Sequence, residues 1–448
     1  MSDILVDSKA AAVAAKWERA SEGVNTESLR GRFNWTDIVY FIALMAAATY
    51  FLVEWPDSMD IYEKVILLCS PFAVVWVGWL WRPLRAYMIA TFVLAAFAVL
   101  VYSGDLSKGD SNFFLKYLLS SQSAVLWMCA LYFMSTIVYW LAFANKNLAW
   151  MGSAFAWAGT VLGSVGLLVR WRESHLIAFD MGHIPVSNLY EVFVLFCLIT
   201  VLFYLYYERR YNTRALGGFI MLVVASAVTF LLWYTFLRDA ATIQPLNNAL
   251  NSWWMKLHVP ANFVGYGTFA LSAMVGFAYL VKLHGETTTW RPMIPLLLIG
   301  GALVAEPLMF SSRGDYALWF IYFGLSVIVV AGILVCRKRI AASLPSFEVL
   351  DDIMYRAISI GFAFFTVATV LGAFWAADAW GTYWQWDPKE TWAFIVWLNY
   401  AAWLHLRLMK GMRGQVMAYW ALAGLVVTTF AFLGVNIFLS GLHSYGEL

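Results

Sequence analysis

The chain predicts an all-α polytopic membrane protein of about thirteen transmembrane helices, N-in and C-out, with a Trp-rich loop on its outer face. Three observations lead there. Hydrophobic residues make up 62% of the chain and charged residues 12%, at a mean hydropathy of +0.71, far from the soluble range. Apolar runs of about 17–25 residues recur along its length, each enough to cross ~30 Å of hydrocarbon. Lysines and arginines collect on alternate connections, as the positive-inside rule requires.

Taken in order, residues 1–34 form a polar cytoplasmic tail, with a short interfacial helix expected around Lys9–Arg19. No cleavable signal precedes the first span, which serves as its own insertion signal. Residues 35–119 hold three spans, 36–53, 62–80 and 86–103, of ordinary aliphatic and aromatic residues, closed by the outer loop Gly104–Tyr117. Residues 120–448 hold the rest: 122–144, 148–169, 189–207, 215–236, 260–283, 292–309, 316–335, 357–374, 390–409 and 415–439. Backbone groups in lipid must pair within their own segment, so each run is read as a helix.

With the N-terminus inside, twenty of the 29 lysines and arginines fall on the cytoplasmic side, including the clusters at 209–214, 337–339 and 407–413. These residues mark topology, and the net charge of +2 gives no reason to expect nucleic acid. The four cysteines, Cys69, Cys129, Cys197 and Cys336, lie within spans or at their inner ends, so neither a disulfide framework nor a cysteine metal cluster is indicated. A Cys-x-x-Cys-His segment, which receives covalent haem in c-type cytochromes, is absent from the sequence.

Residues 375–397 carry the densest chemistry. Trp375, Trp380, Trp384, Trp386, Trp392 and Trp397 stand there with Tyr383 and the turn-making Asp387-Pro388. Indoles belong at membrane boundaries, and a belt accounts for two or three of them. Six within 23 residues, interleaved with Gly381, Lys389 and Glu390, read instead as a shaped surface. Pro388 and Glu390 suit the first turn of the next helix. Lys389 is either solvated or placed to meet a carboxylate of a ligand.

Histidines frame that surface. His258 stands just before the span 260–283, and His443 just after the span 415–439. A lone histidine at a helix end is usually structural. Two at the outer ends of different spans, around an aromatic platform, fit axial ligation of one outer haem. His405 differs, because it lies inside the span 390–409, fifteen residues or roughly 22 Å beyond Glu390 and near the inner face. It is either a snorkelling side chain beside Arg407 or a ligand for a second haem in transit. In Gly182–Glu191, Ser187 or Asn188 can cap the span 189–207 with Glu191 in its first turn; His175, His183 and His284 are left unassigned.

Trp380-Gly-Thr-Tyr-Trp-Gln-Trp-Asp-Pro-Lys-Glu-Thr-Trp392 resembles the WWD signature of haem-handling proteins. Four further segments resemble, in order, the CcsA/ResC branch of system II cytochrome c biogenesis: Gly182–Glu191, Leu350-Asp351 with Tyr355-Arg356, Leu404-His405, and Gly441–Gly446. The likeness spans about 120–448. It implies that His258 and His443 ligate an outer haem iron, that His405 ligates a haem nearer the cytoplasm, and that Trp380, Trp384, Trp386, Asp387 and Trp392 bind the cofactor. It implies haem b as substrate, a CcsB/ResB-like membrane partner that supplies the family's other membrane histidine, and an apocytochrome c whose two thiols join the haem vinyl groups. The implied activity is that of a holocytochrome c synthase, or haem lyase, component on the outer face of a bacterial cytoplasmic membrane, a thylakoid being the other such location. The chain departs from the eight-span family core by three leading spans and by a helical hairpin inserted at about 285–340. The alternatives are a haem carrier that passes haem to a separate ligase, and a non-haem subunit of a respiratory complex whose tryptophans are only a belt.

Overall fold

The computed structural model describes residues 34–439 apart from 55, 57–58, 60, 179–180, 247–251, 288 and 312–315. The tail with its expected helix at Lys9–Arg19, and His443 with the Gly441–Gly446 segment, lie outside the described residues. Among the described residues fourteen helices of seven residues or more follow one another: α1 (Trp35–Glu54), α2 (Ile61–Leu80), α3 (Pro83–Tyr102), α4 (Ser121–Ala142), α5 (Ala149–Ile177), α6 (Leu189–Arg210), α7 (Gly217–Arg238), α8 (Trp253–Leu283), α9 (Ile294–Ser311), α10 (Tyr316–Val335), α11 (Arg337–Ser343), α12 (Phe347–Trp380), α13 (Pro388–Met409) and α14 (Gln415–Thr429). A π-helical turn, Phe430–Gly434, continues α14.

Each of the thirteen expected segments falls on a helix. Among the described residues ten helices are long and apolar enough to cross a membrane, and eleven if α10 and α11, bent by 66°, make one span. The protein is thus an all-α polytopic membrane protein. α5, α8 and α12 run to 29, 31 and 34 residues, well beyond the ~20 that a bilayer needs. α8 accordingly begins at Trp253 rather than near Pro260, and His258 sits in its second turn rather than ahead of it. Hydropathy alone misses such extensions, because helix caps and not lipid end them. Ser252 caps α8 by accepting from the Trp254 N–H at 3.3 Å, and Ser346 caps α12 by accepting from Val349 at 3.4 Å.

The chain packs as two units, residues 1–94 and 95–448. In the first, the fully buried Asp37 on α1 pairs with Arg85 on α3, which also donates to the Gly78 carbonyl at 2.9 Å. In the second, α8 is the central helix and lies along α12. Their close approach depends on Gly361. A Cβ there would come within 2.4 Å of Thr268 Oγ1 and 2.7 Å of the Phe269 ring, so a larger residue would force the helices apart.

Candidate functional site

At one end of the second unit, α12 stops at Trp380 and Gly381 closes it in the left-handed conformation (φ 78°), its N–H bonding the Ala377 carbonyl at 2.9 Å. The chain turns back within Gly381–Asp387, so Trp375 and Trp380 belong to α12, and Trp392 and Trp397 to α13. Asp387 is the N-cap of α13. Its carboxylate accepts from Glu390 N at 2.9 Å, while the Glu390 carboxylate accepts from Asp387 N at 3.3 Å and Gln385 N at 2.7 Å. Trp386 adopts φ 59°, a left-handed conformation costly for a bulky side chain, and these two carboxylates hold the turn around it. Asp387→Ala removes the cap and is expected to lower stability by ~1 kcal/mol. Asp387→Asn, still a capping residue, should retain most of it. Thermal unfolding of the two variants in detergent checks this, and equal midpoints would remove Asp387 from the turn's support.

Below the turn lies a pocket bounded by α8, α12, α13, the start of α6 and the π-turn, with about 1270 Å³ of free space counting its open mouth. Its walls include Val186, Asn188, Met255, Trp375, Trp384 and Phe432. His258 enters from α8. Its Nδ1 lies 2.7 Å from the Ala368 carbonyl of α12, and its ring meets Trp375 edge-on at 5.6 Å. A carbonyl only accepts, so Nδ1 carries the proton and the lone pair belongs to Nε2. Gly372 makes room for the ring, because a Cβ there would stand 2.8 Å from His258 Cε1 and 3.0 Å from Nδ1.

Two donors on the α13 side line the same pocket. Trp384 Nε1 is buried without a hydrogen-bond acceptor, an unusual state for an indole N–H. Lys389 Nζ donates to the carbonyls of Phe432 at 3.1 Å and, more weakly, Ala431 at 3.5 Å. The wide π-turn leaves those oxygens available to it. Burial pushes the Lys389 ammonium down to about 8, against the pull of the neighbouring Asp387 carboxylate.

The Gly182–Glu191 segment supplies the wall opposite. Asn188 caps α6 by accepting from Glu191 N at 2.9 Å, as helix punctuation predicts. Glu191 then reaches both ways. Its Oε2 accepts from Ser187 N at 2.9 Å and from Ser187 Oγ at 3.0 Å, and its Oε1 pairs with Arg170 Nε at 2.7 Å. Arg170 also donates to the Ala241 carbonyl at 2.6 Å, and His183 Nε2 lies 2.9 Å from Ser187 Oγ. Through Ser187 the buried ion pair fixes the backbone of the pocket wall.

Of the residues singled out from the sequence, His258, Trp375, Tyr383, Trp384, Lys389 and Glu390, with Ser187 and Asn188, line this pocket, and Asp387 supports it from the adjoining cap. Trp386 is 65% exposed and stands edge-on to Trp384 at 5.7 Å, while Trp392 packs on Phe430 at 4.4 Å. Trp380, at the end of α12, is not among the lining residues. His405 lies on the exposed face of α13, toward the end where Arg407 pairs with Asp351 and covers the Tyr355 ring at 5.3 Å. Sequence reasoning passed over Gly372, Asn262 and Asn436, and read Ser187 only as a candidate cap of α6. Among the described residues no cluster of three or more His, Cys, Asp or Glu side chains is placed to hold a bare metal ion.

A family model described as cytochrome c assembly protein matches residues 186–443. A cytochrome c biogenesis protein CcsA from Chlorella vulgaris is 34% identical over 338 residues, covering 70% of this chain and 93% of that protein. The CcsA proteins of Gloeobacter violaceus and Guillardia theta are 34% and 31% identical, each covering 70% of this chain and 92% of their own length.

Proposed function

We propose, from the premise that this chain belongs to the cytochrome c assembly protein family and is of the CcsA type, that its outer pocket holds haem b for covalent attachment to apocytochrome c. The chain's part in cytochrome c biogenesis follows from the family; the assignment of residues is our reading. The observation that carries it is His258, whose Nδ1 proton is committed to the Ala368 carbonyl in a pocket walled by aromatic rings. A histidine held this way through one nitrogen presents the other in a fixed direction, as iron-ligating histidines do.

In this reading haem is the substrate. His258 and His443 are its axial ligands, with His443 outside the described residues. Trp384 stacks beside the ring system, and its Nε1–H offers a donor for a haem carboxylate. Trp380, Trp386 and Trp392 frame the platform and Asp387 holds its turn. The chain ligates the iron and leaves the vinyl edge toward the open mouth. Each cytochrome thiol then adds across a vinyl double bond, sulfur to one carbon and proton to the other, and nothing leaves. The chain is thus the haem-holding component of a haem lyase. His405, exposed on α13, becomes the ligand of a second haem nearer the inner face, completed by a CcsB/ResB-like partner that covers that surface.

The test is a reduced-minus-oxidised visible spectrum of the full chain purified with that partner. A bis-imidazole haem spectrum that weakens in His258→Ala, His405→Ala and His443→Ala is the expected result. A colourless complex would refute the pocket's assignment and return the tryptophans to a membrane belt.

A further inference from the structure

The pocket holds a positive charge that no carboxylate answers. Lys389 lines it from the first turn of α13, and among the described residues no Asp or Glu oxygen stands within ion-pairing distance of its Nζ. The acids nearest in the chain are held by backbone N–H groups, Asp387 by Glu390 N, and Glu390 by Gln385 N and Asp387 N. Lys389 Nζ and Asn436 Nδ2, the latter from the short helical turn Val435–Phe438, donate to one oxygen, the Phe432 carbonyl, each at 3.1 Å. The two donors therefore stand side by side, and Asn436 too lines the pocket. An ammonium has three hydrogens and an amide two, and the second bond of Lys389, to Ala431 at 3.5 Å, is weak. Each side chain keeps a hydrogen to give. Trp384 Nε1 adds a third donor to the same pocket, buried and without an acceptor. Elsewhere the walls are largely apolar, with Met255, Phe263, Phe365 and Trp375. An unpaired cation and two further donors in such surroundings suit an anion with several acceptor oxygens, which a carboxylate is.

We propose that Lys389, Asn436 and Trp384 form a carboxylate-binding subsite, and that it fixes which edge of the haem faces which wall. The proposal rests on the haem reading above. Haem b carries its two carboxylates on one edge and its two vinyl groups on the opposite one. Holding the carboxylate edge against the π-turn turns the vinyl edge away from it, while His258 holds the iron from α8. Ligation alone does not achieve this, because the ring remains free to rotate about the bond between Nε2 and iron. The subsite thus selects a porphyrin with free carboxylates and presents one defined edge to the cytochrome thiols.

The test compares haem b with its dimethyl ester in absorbance titrations of the full chain purified free of haem. The ester keeps the iron, the ring and the vinyl groups and loses both negative charges. Wild type should bind haem about ten- to a hundredfold more tightly than the ester, the worth of a hydrogen bond to a charged group. Lys389→Met should bind haem at the ester's level and no longer distinguish the two. Asn436→Asp, which gives Lys389 a carboxylate of its own, should weaken haem and leave the ester unchanged. His258→Ala should weaken both alike, because both offer the same iron. Equal binding of haem and ester by wild type would overturn the subsite and leave the haem reading intact. That comparison needs no variant, so a poorly folded Lys389→Met cannot obscure it. Full discrimination retained in Lys389→Met would overturn the assignment to Lys389. If wild type binds neither compound, or His258→Ala binds both as wild type does, the haem reading fails and the subsite with it.

Discussion

With His258 replaced by alanine, the full chain is expected to keep its fold while its affinity for the outer haem falls by on the order of a hundredfold or more. Losing a partner that merely orients a metal ligand costs 10- to 100-fold, and losing the ligand itself costs at least as much. The side chain is only partly buried and joins α8 to α12 by one hydrogen bond at its rim, so the helices should remain packed through Gly361. Gly372→Ala provides the companion experiment. The added Cβ, 2.8 Å from the His258 ring, must displace the imidazole or shift α12, breaking the bond to Ala368 while leaving His258 in the sequence. Haem affinity should then fall about 10- to 100-fold, as for other disturbed supporting groups. Haem titration of purified protein, with holocytochrome c yield in cells, reads both. Wild-type affinity in His258→Ala would exclude this pocket as the haem site. Wild-type affinity in Gly372→Ala would show that the Ala368 hydrogen bond does not set the ligand's direction.

The architecture was largely readable from the sequence because lipid imposes a simple rule on it. A run of apolar residues must close its own hydrogen bonds, so segments such as 189–207 and 316–335 emerge as helices within a few residues of α6 and α10. His258 and the tryptophans stand out in the sequence as residues that lipid contact alone does not require, and the structure brings His258, Trp375 and Trp384 to one pocket. Their arrangement was less so. Which tryptophan turns inward depends on where α12 ends and α13 begins, and that is set by Gly381 and the Asp387 cap. Trp384 lines the pocket while Trp386, two residues on, projects outward from a left-handed backbone. From the sequence Lys389 is either solvated or facing a ligand; it is buried at the pocket wall and donates to carbonyls of a π-turn, a feature without a sequence signature. Asn188 illustrates the intermediate case. Its capping role followed from local pattern, but its place in the pocket wall depends on contact with α8 and α12, far along the chain.

The segment around Glu191 supports the second large prediction, which concerns stability before activity. Arg170 and Glu191 have side chains only 3% and 1% exposed, and each is the other's ion-pair partner. Removing one member of such a pair leaves a charge stranded in a poorly solvated place, which costs about 3–5 kcal/mol. Glu191→Ala should therefore unfold at a clearly lower temperature in detergent, and Arg170→Ala should lose less where Glu191 keeps its bonds from Ser187. The double replacement Arg170→Met with Glu191→Leu removes both charges and should recover most of the lost stability. It cannot recover the two hydrogen bonds that tie Ser187 to the pocket wall. The expected outcome is thus a split: stability near wild type, haem affinity still reduced. Recovery of both would mean that the ion pair serves folding alone and that Ser187 needs no anchor. An unchanged unfolding temperature in Glu191→Ala would contradict the burial of the pair itself. The arrangement explains why a capping segment carries a buried glutamate at all. A helix start needs only Asn188, whereas the pocket wall also has its backbone fixed at Ser187, and the Arg170–Glu191 pair fixes it from behind.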